Sequence, residues 1–344
     1  MTTEYEFGTS ANFFDNRLSL DFAYYNKVTT DQIISASLAP ESGYTTETRN
    51  VGKLQNQGVE IMANVTPIRT KDWEWSLGAT FTKNNSKVKE LWNGLEEYTG
   101  VYNSRGVYYV LRVGQPVGEF RIPAPETVTD KNSPYYGCIV VNNNGRPNVS
   151  ATEYEYLGKA EADFTMGFTT NLRWKNLSFS ATADWRKGGL MYSETSYISH
   201  FNGNSTQTVY NERNSFIYPN SVKVVNGEYV ENNIMVKANQ MNYAVGNYSY
   251  NPMIRREFVL PKDYFKLREV SLTYDFPKNW LTKTPFKKVM VSLVGRNLLL
   301  FTPKKNNYVD PEATNLGNDL LSEFGESTGT SSTRNFGANI KVVF

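Results

Sequence analysis

Arg334-Asn335-Phe336-Gly337-Ala338-Asn339-Ile340-Lys341-Val342-Val343-Phe344 is the stretch whose pattern decides the fold. Apolar residues occupy every second position: Phe336, Ala338, Ile340, Val342 and Phe344. Gly337, Asn339 and Lys341 fall between them. A period of two puts the two sets on opposite faces of a β-strand. The run is about as long as a tilted strand needs to cross a bilayer. It ends on an aromatic residue, where a frayed terminus in water gains little. A membrane β-barrel uses such a residue as an interfacial anchor of its closing strand. On these residues alone, a soluble sandwich packing its last strand on a core stays open as a rival.

Composition is compatible with strands in a membrane. The 344 residues include 23 Tyr, 19 Phe and 6 Trp, the aromatic supply that interfacial girdles and binding loops use. Mean hydropathy is only −0.50, and no run of eighteen apolar residues occurs, so no helix is expected to span a bilayer. A barrel needs none, because only alternate strand residues meet lipid. A net charge of +2 gives no footprint for nucleic acid. A lone Cys138 excludes an internal disulfide framework, and a lone His200 argues against histidine-rich zinc sites and a Ser-His-Asp triad. Residues 1–20 show no charged segment followed by an apolar one, so no signal peptide is read there.

The same alternation recurs upstream. Leu18, Leu20, Phe22 and Tyr24 form one phase, and Val59, Ile61, Ala63 and Val65 another. Trp73, Trp75, Leu77, Ala79 and Phe81 follow, then Phe164, Met166, Phe168, Leu172 and Trp174. Leu177, Phe179, Ala181, Ala183 and Trp185 come next. Val270, Leu272, Tyr274 and Phe276 precede Val289, Val291 and Leu293. Arg173 and Asp184 fall on the opposite phase, where a dry core would penalise their charge and a wet lumen would not.

Connections alternate between short and long. The short ones are expected at 15–16, 67–71, 175–176 and 277–286, and the long ones at 36–48, 85–162, 193–262 and 302–333. Asp15-Asn16 and Lys175-Asn176 suit tight hairpins. Short turns at one end and long loops at the other is the outer-membrane barrel arrangement, turns periplasmic and loops outside. The final strand then runs inward. With an opening strand at 4–13, about nine strands are expected. Nine is odd for a bacterial single-chain barrel, and an open edge in lipid leaves backbone groups unpaired. The expected fold is therefore all-β: an antiparallel transmembrane β-barrel, of which residues 1–344 are the C-terminal portion.

Longer motifs carry a family resemblance. They include Phe13-Phe14-Asp15-Asn16-Arg17-Leu18, Asn56-Gln57-Gly58-Val59-Glu60 and Val113-Gly114-Gln115-Pro116-Val117-Gly118-Glu119-Phe120. Trp185-Arg186-Lys187-Gly188-Gly189, Lys266-Leu267-Arg268-Glu269-Val270-Ser271-Leu272, Gly295-Arg296-Asn297-Leu298 and Asp310-Pro311-Glu312 follow in order. The chain resembles the C-terminal barrel half of SusC/RagA-type TonB-linked outer-membrane transporters of Bacteroidota. The resemblance implies location in the cell outer membrane, among lipid and lipopolysaccharide, and no cofactor. It implies import of oligosaccharides or peptides with a SusD-like surface lipoprotein as lid. It also implies energy from TonB-ExbB-ExbD, reaching a plug domain that, with the first strands, is not among these residues.

Substrate or lid contacts are expected on the long loops. Candidates are Tyr192, Tyr197, Phe201, Tyr210, Arg213 and Tyr218, with Phe216, Tyr243, Tyr248, Tyr250 and the amides of Asn204, Asn211 and Asn214 nearby. Aromatic faces stack on sugar rings, and amides and guanidinium bond hydroxyls or peptide groups. A protein interface or self-packing of the loop explains the same mixture equally well. Trp73, Trp75, Trp174 and Trp185 read as girdle anchors. Asp310 and Glu312, with Asn315 and Asp319, offer oxygens for a hard cation, but the spacing fits no EF-hand and a polar turn is the plainer reading. No catalytic residue is assigned. The rivals are a passive porin and a soluble glycan-binding or glycan-cleaving β-protein. The carboxylate pairs Glu96/Glu97 and Glu153/Glu155 show no spacing that specifies glycosidase chemistry.

Overall fold

The computed structural model describes residues 1–31, 33–37, 46–50, 52–236, 255–316 and 320–344. Nine strands form one antiparallel sheet in chain order. They are β1 (Thr2–Phe13), β2 (Leu18–Thr30), β3 (Lys53–Arg69), β4 (Trp73–Glu90) and β5 (Phe164–Trp174). β6 (Leu177–Lys187), β7 (Tyr264–Asp275), β8 (Lys288–Phe301) and β9 (Asn335–Val343) complete it.

Register turns the sequence alternation into two continuous surfaces. Leu20, Ala63, Ala79, Phe168, Ala183, Leu267 and Leu299 lie side by side from β2 to β8. One step towards the long loops runs a second row: Phe22, Ile61, Phe81, Met166, Trp185, Phe265 and Phe301. The other face carries Glu74, Arg173, Ser178, Thr273, Ser292 and Asn339 in one row. A soluble sandwich would bury the apolar rows. Here Phe22, Leu272, Leu293 and Ile340 are all exposed, as a lipid-facing surface requires. The main buried apolar cluster among the described residues lies in the loops instead.

Turns and loops sort by end as the spacing predicts. Tight turns at 14–17, 70–72 and 175–176, and a longer one at 276–287, lie at one end. Asp15, Asn16 and Lys175 take the left-handed conformation that these hairpins demand. Long segments at 31–52, 91–163, 188–263 and 302–334 lie at the other. Trp73 stacks on Trp174 at 5.5 Å beside the tight turns, and Trp185 packs edge-on to Phe164 at 5.0 Å near the loop end. Trp75 donates its indole N–H to Thr170 Oγ1 at 3.0 Å, which satisfies a polar group on the apolar face.

Three strand details differ from the sequence expectation. β4 runs on to Glu90, past the expected break at 85. Val88 is the one apolar residue in 83–90, so alternation stops before the ladder does. β3 likewise starts at Lys53, and a short hairpin (Ile33–Ser37 with Thr46–Asn50) stands beyond it. Pro67 lies inside β3, in a register shift between Val65 and Ile68, because a proline without N–H is tolerated at a bulge.

Two motifs turn out to be paired irregularities. The register between β7 and β8 slips between Leu267 and Glu269, and that between β6 and β7 at Thr182/Ala183. Asn297 takes φ +52°, which a short amide side chain tolerates. The slip aims Arg268 at Asp184 on the polar face. β9 pairs with β8, and Phe344 packs edge-on to Phe286 at 5.3 Å.

Candidate functional site

Three of the four long segments fold together above the loop end of the sheet. Residues 91–163 supply a four-stranded sheet: Glu97–Ser104, Val107–Arg112, Glu119–Pro125 and Val149–Lys159. Residues 188–263 supply Leu190–Ser193, Val259–Pro261 and helix α1 (Glu194–Phe201). Gly325–Glu326, from the last long segment, pairs with Leu190–Ser193. Phe324 holds the three together. It is fully buried and lies within 5.6 Å of the Tyr102, Tyr109, Phe120 and Tyr192 rings.

The family motifs fasten this dome to the strand tops. Gly114 N–H and Val88 C=O, and Val88 N–H and Gln115 C=O, exchange bonds of 2.8 and 2.9 Å. Gly118 has φ +80°, and a Cβ there would collide with the buried Tyr109 phenol. Gly58 sits under the Tyr25 ring, whose hydroxyl donates to Asn84 Oδ1 at 3.0 Å. Lys187 and the Gly188 N–H both reach Asp263, at 2.8 and 3.2 Å. Glu323 receives Lys262 at 2.5 Å and Arg186 at 3.3 Å.

Asp310 and Glu312 are committed to cations of the chain itself. Lys266 Nζ reaches Asp310 at 2.7 Å and Glu312 at 2.8 Å. Arg268 donates to both Glu312 oxygens, and Tyr264 O–H adds a bond of 2.9 Å. Burial would raise the Glu312 carboxyl, but the bonds from Arg268, Lys266 and Tyr264 outweigh it and hold its pKa down at about 2. The oxygens read as possible cation ligands thus tie the Asp310-Pro311-Glu312 turn to β7. Among the described residues, no group of acidic, histidine or cysteine side chains has a metal-binding arrangement. Asp319 lies outside the described residues.

The loop candidates separate by burial. Tyr192 and Tyr197 are 1% and 5% exposed and belong to the dome core, so self-packing accounts for them here. Burial, with the hydrogen bond to Glu194, holds the Tyr192 phenol well above its ordinary range. Arg105 lies over the Tyr197 ring at 4.7 Å. Phe201 is exposed at the end of α1. Arg213 is exposed and donates to Gly203 C=O at 2.9 Å. Tyr218 is half-buried beside Phe216, ring centres 5.5 Å apart. The Tyr210 side chain, Tyr243, Tyr248 and Tyr250 lie outside the described residues. Phe336, Ala338, Ile340 and Val342 fall on the apolar face of β9, opposite Gly295, Leu293, Val291 and Val289.

One member of each carboxylate pair weighed for hydrolysis is engaged within the chain. Glu97 is paired with Arg121 and accepts from Tyr156 O–H at 2.6 Å, and Glu155 holds Arg256 at 2.6 Å. Sequence reasoning missed a polar recess of about 290 Å³ between α1, the top of β8 and residues 302–332. Its available signal was the hydroxyl-rich run Ser327-Thr328-Gly329-Thr330-Ser331-Ser332-Thr333.

Comparison with known proteins agrees with this architecture. Residues 1–115 match the family model described as TonB dependent receptor-like, beta-barrel. TonB-dependent receptor P3 of Formosa agariphila is 26% identical over 330 residues, covering 91% of this chain and 30% of that protein. TonB-dependent receptor SusC of Bacteroides thetaiotaomicron is 24% identical over 319 residues, covering 90% and 29%. The chain therefore spans about a third of the length of these curated relatives. A solved structure of the RagAB peptide transporter superposes with a TM-score of 0.71 at 22% identity, over 99% of this chain and 35% of that one. Residues 1–115 thus carry the TonB-dependent receptor β-barrel pattern, and the chain over most of its length is similar to TonB-dependent receptors, SusC among them.

Proposed function

We propose that the chain is the C-terminal barrel portion of a TonB-dependent outer-membrane importer. The single observation that supports this most is the sorting of the sheet. One face presents apolar rows suited to lipid, the other a polar wall, and three of the four long segments share one core at one end. The loop end is then extracellular and the tight turns periplasmic.

In this reading the cargo is an oligosaccharide or a peptide, captured with a SusD-like lipoprotein lid. RagAB, titled a peptide transporter, supports a peptide, and the motif resemblance to SusC-type transporters supports an oligosaccharide. Exposed apolar side chains on the third long segment support a lid. They include Phe201, Val209, Ile217, Val224 and Met235.

The test is uptake by cells that carry the intact receptor, measured with and without a protonophore. Uptake that collapses when the proton-motive force is removed is expected. Uptake that continues unchanged would assign the barrel to passive diffusion and sink the active-transport reading.

A further inference from the structure

The recess above β8 has the chemistry of a ligand site that none of the motifs absorbs. It holds about 290 Å³, close to the lower size of small-molecule pockets. Most of its wall is amide and hydroxyl, including Asn307, Thr330, Ser331 and Ser332. These four are exposed, and among the described residues their side chains make no hydrogen bond. Donors and acceptors are thus left available on a concave surface. Neighbouring polar groups of the recess are used: Thr302 Oγ1 donates to Asn306 C=O at 2.8 Å, Asn306 donates to Pro261 C=O at 3.2 Å, and the Tyr308 hydroxyl meets Ser205 Oγ at 2.8 Å. Fixing that hydroxyl leaves the Tyr308 ring as the aromatic element of the wall.

Charge narrows the ligand. Two carboxylates line the recess, Asp310 and Glu326. Asp310 is neutralised by Lys266 at 2.7 Å. Glu326, 1% exposed, has among the described residues only uncharged donors: Ser193 Oγ at 2.5 Å, with the Thr195 N–H and Thr195 Oγ at 2.9 Å. Among the described residues, no lysine or arginine lines the recess. An anionic ligand would meet the Glu326 charge with no cation to offset it. A peptide would want a strand edge and apolar side-chain pockets. The wall offers few apolar groups, chiefly Leu300 and Val309.

Resting on the importer reading, we propose that this recess binds an uncharged, polyhydroxylated segment of the cargo and discriminates against acidic sugars. Asn307, Thr330, Ser331 and Ser332 make the hydrogen bonds, and Glu326 sets the charge preference.

The experiment uses the intact receptor purified from outer membranes. The probes are glucose-, mannose- and xylose-based hexasaccharides, their uronic-acid and sulfated counterparts, and a mixture of neutral hexapeptides. The expected result is binding of at least one neutral glycan, with acidic counterparts at least about tenfold weaker. Asn307→Ala with Ser331→Ala should weaken that binding about tenfold, since two modest hydrogen bonds are lost. Ser331→Lys should shift preference towards the acidic glycans. These positions are exposed, so the variants should keep the wild-type heat-modifiable gel mobility. Tighter binding of acidic glycans or peptides by the wild type overturns the proposal, as does failure of every neutral glycan to bind. Neutral glycan binding that both variants leave unchanged places the contact elsewhere and also overturns it. Any of these leaves energy-dependent uptake, and so the importer reading, standing.

Discussion

Lys266 Nζ lies 2.7 Å from the Asp310 carboxylate, and both side chains are only 6% exposed. This pair joins a strand of the sheet to a segment 44 residues later, beside Glu312 and Arg268. An enclosed ion pair is weak evidence of net stability, yet removing one partner strands the other. Asp310→Asn should therefore loosen residues 302–334 by about 2 kcal/mol rather than more, because Glu312 still serves Lys266. Hydrogen exchange across 302–334 in the purified receptor reads this. Unchanged protection would mean that the turn is held by packing alone.

The same latch has a pH signature. Glu312 titrates at about 2 in the folded chain, against an ordinary value of 4.5. A depressed carboxylate contributes stability above its unfolded pKa and loses it as pH falls through the folded one. Protection of 302–334 should hold down to about pH 4.5 and fall away towards pH 2. Glu312→Gln should flatten the part of that profile due to this residue. A wild-type profile already flat between these limits would contradict the latch.

His200 predicts a second, separate window. It is buried, its Nδ1 lies 2.8 Å from Ser196 C=O, and burial pulls its pKa below the ordinary 6.5. The unfolded segment then binds a proton that the folded one resists. Dome stability should be complete above about pH 6.5 and decline as pH falls below it. Exchange at residues 194–213 between pH 7.5 and 5 tests this, with His200→Asn as the variant that removes the dependence.

Much of the sheet was legible because lipid enforces a period of two. Rows such as Phe22, Ile61, Phe81 and Met166 can be traced by alternation alone. The strand extensions at 53–58 and 83–90 were not, because the pair Leu54 and Val88 is their only apolar contribution and no alternation marks the continued backbone pairing. The dome was less legible still. Tyr192 and Phe201 look alike in sequence, yet one is buried and the other exposed. Loop packing has no period to mark which aromatic turns inward. Lys266-Leu267-Arg268-Glu269 and Asp310-Pro311-Glu312 were both visible as motifs, but their meeting is long-range.

Phe324 should behave as the keystone of the dome. Its ring is stacked on Tyr192 at 5.2 Å, and Tyr192 N–H donates to Phe324 C=O at 2.7 Å. Phe324→Ala leaves a cavity among four rings and should cost about 3–5 kcal/mol of loop stability. The sheet does not share that core, so the barrel should still show heat-modifiable migration. Protease should cut the long loops sooner in the variant. Loss of heat-modifiable migration itself would mean that dome and sheet form one cooperative unit.

Phe344 tests the strand with which the sequence ends. Its ring packs on Phe286 and stands exposed on the apolar side of β9, where lipid would cover it. Phe344→Ala forfeits about 2 kcal/mol of apolar burial at the tight-turn end. That is small against the whole sheet, so a folded barrel should remain stable once formed. The larger effect is expected during assembly, when β9 has to be held at the interface before its pairing is complete. Pulse-labelled cells should therefore show slower appearance of the heat-modifiable form, with near-normal urea resistance of the barrels that do form. Normal assembly kinetics with reduced urea resistance would instead make Phe344 a packing residue, and unchanged behaviour in both would remove its anchoring role.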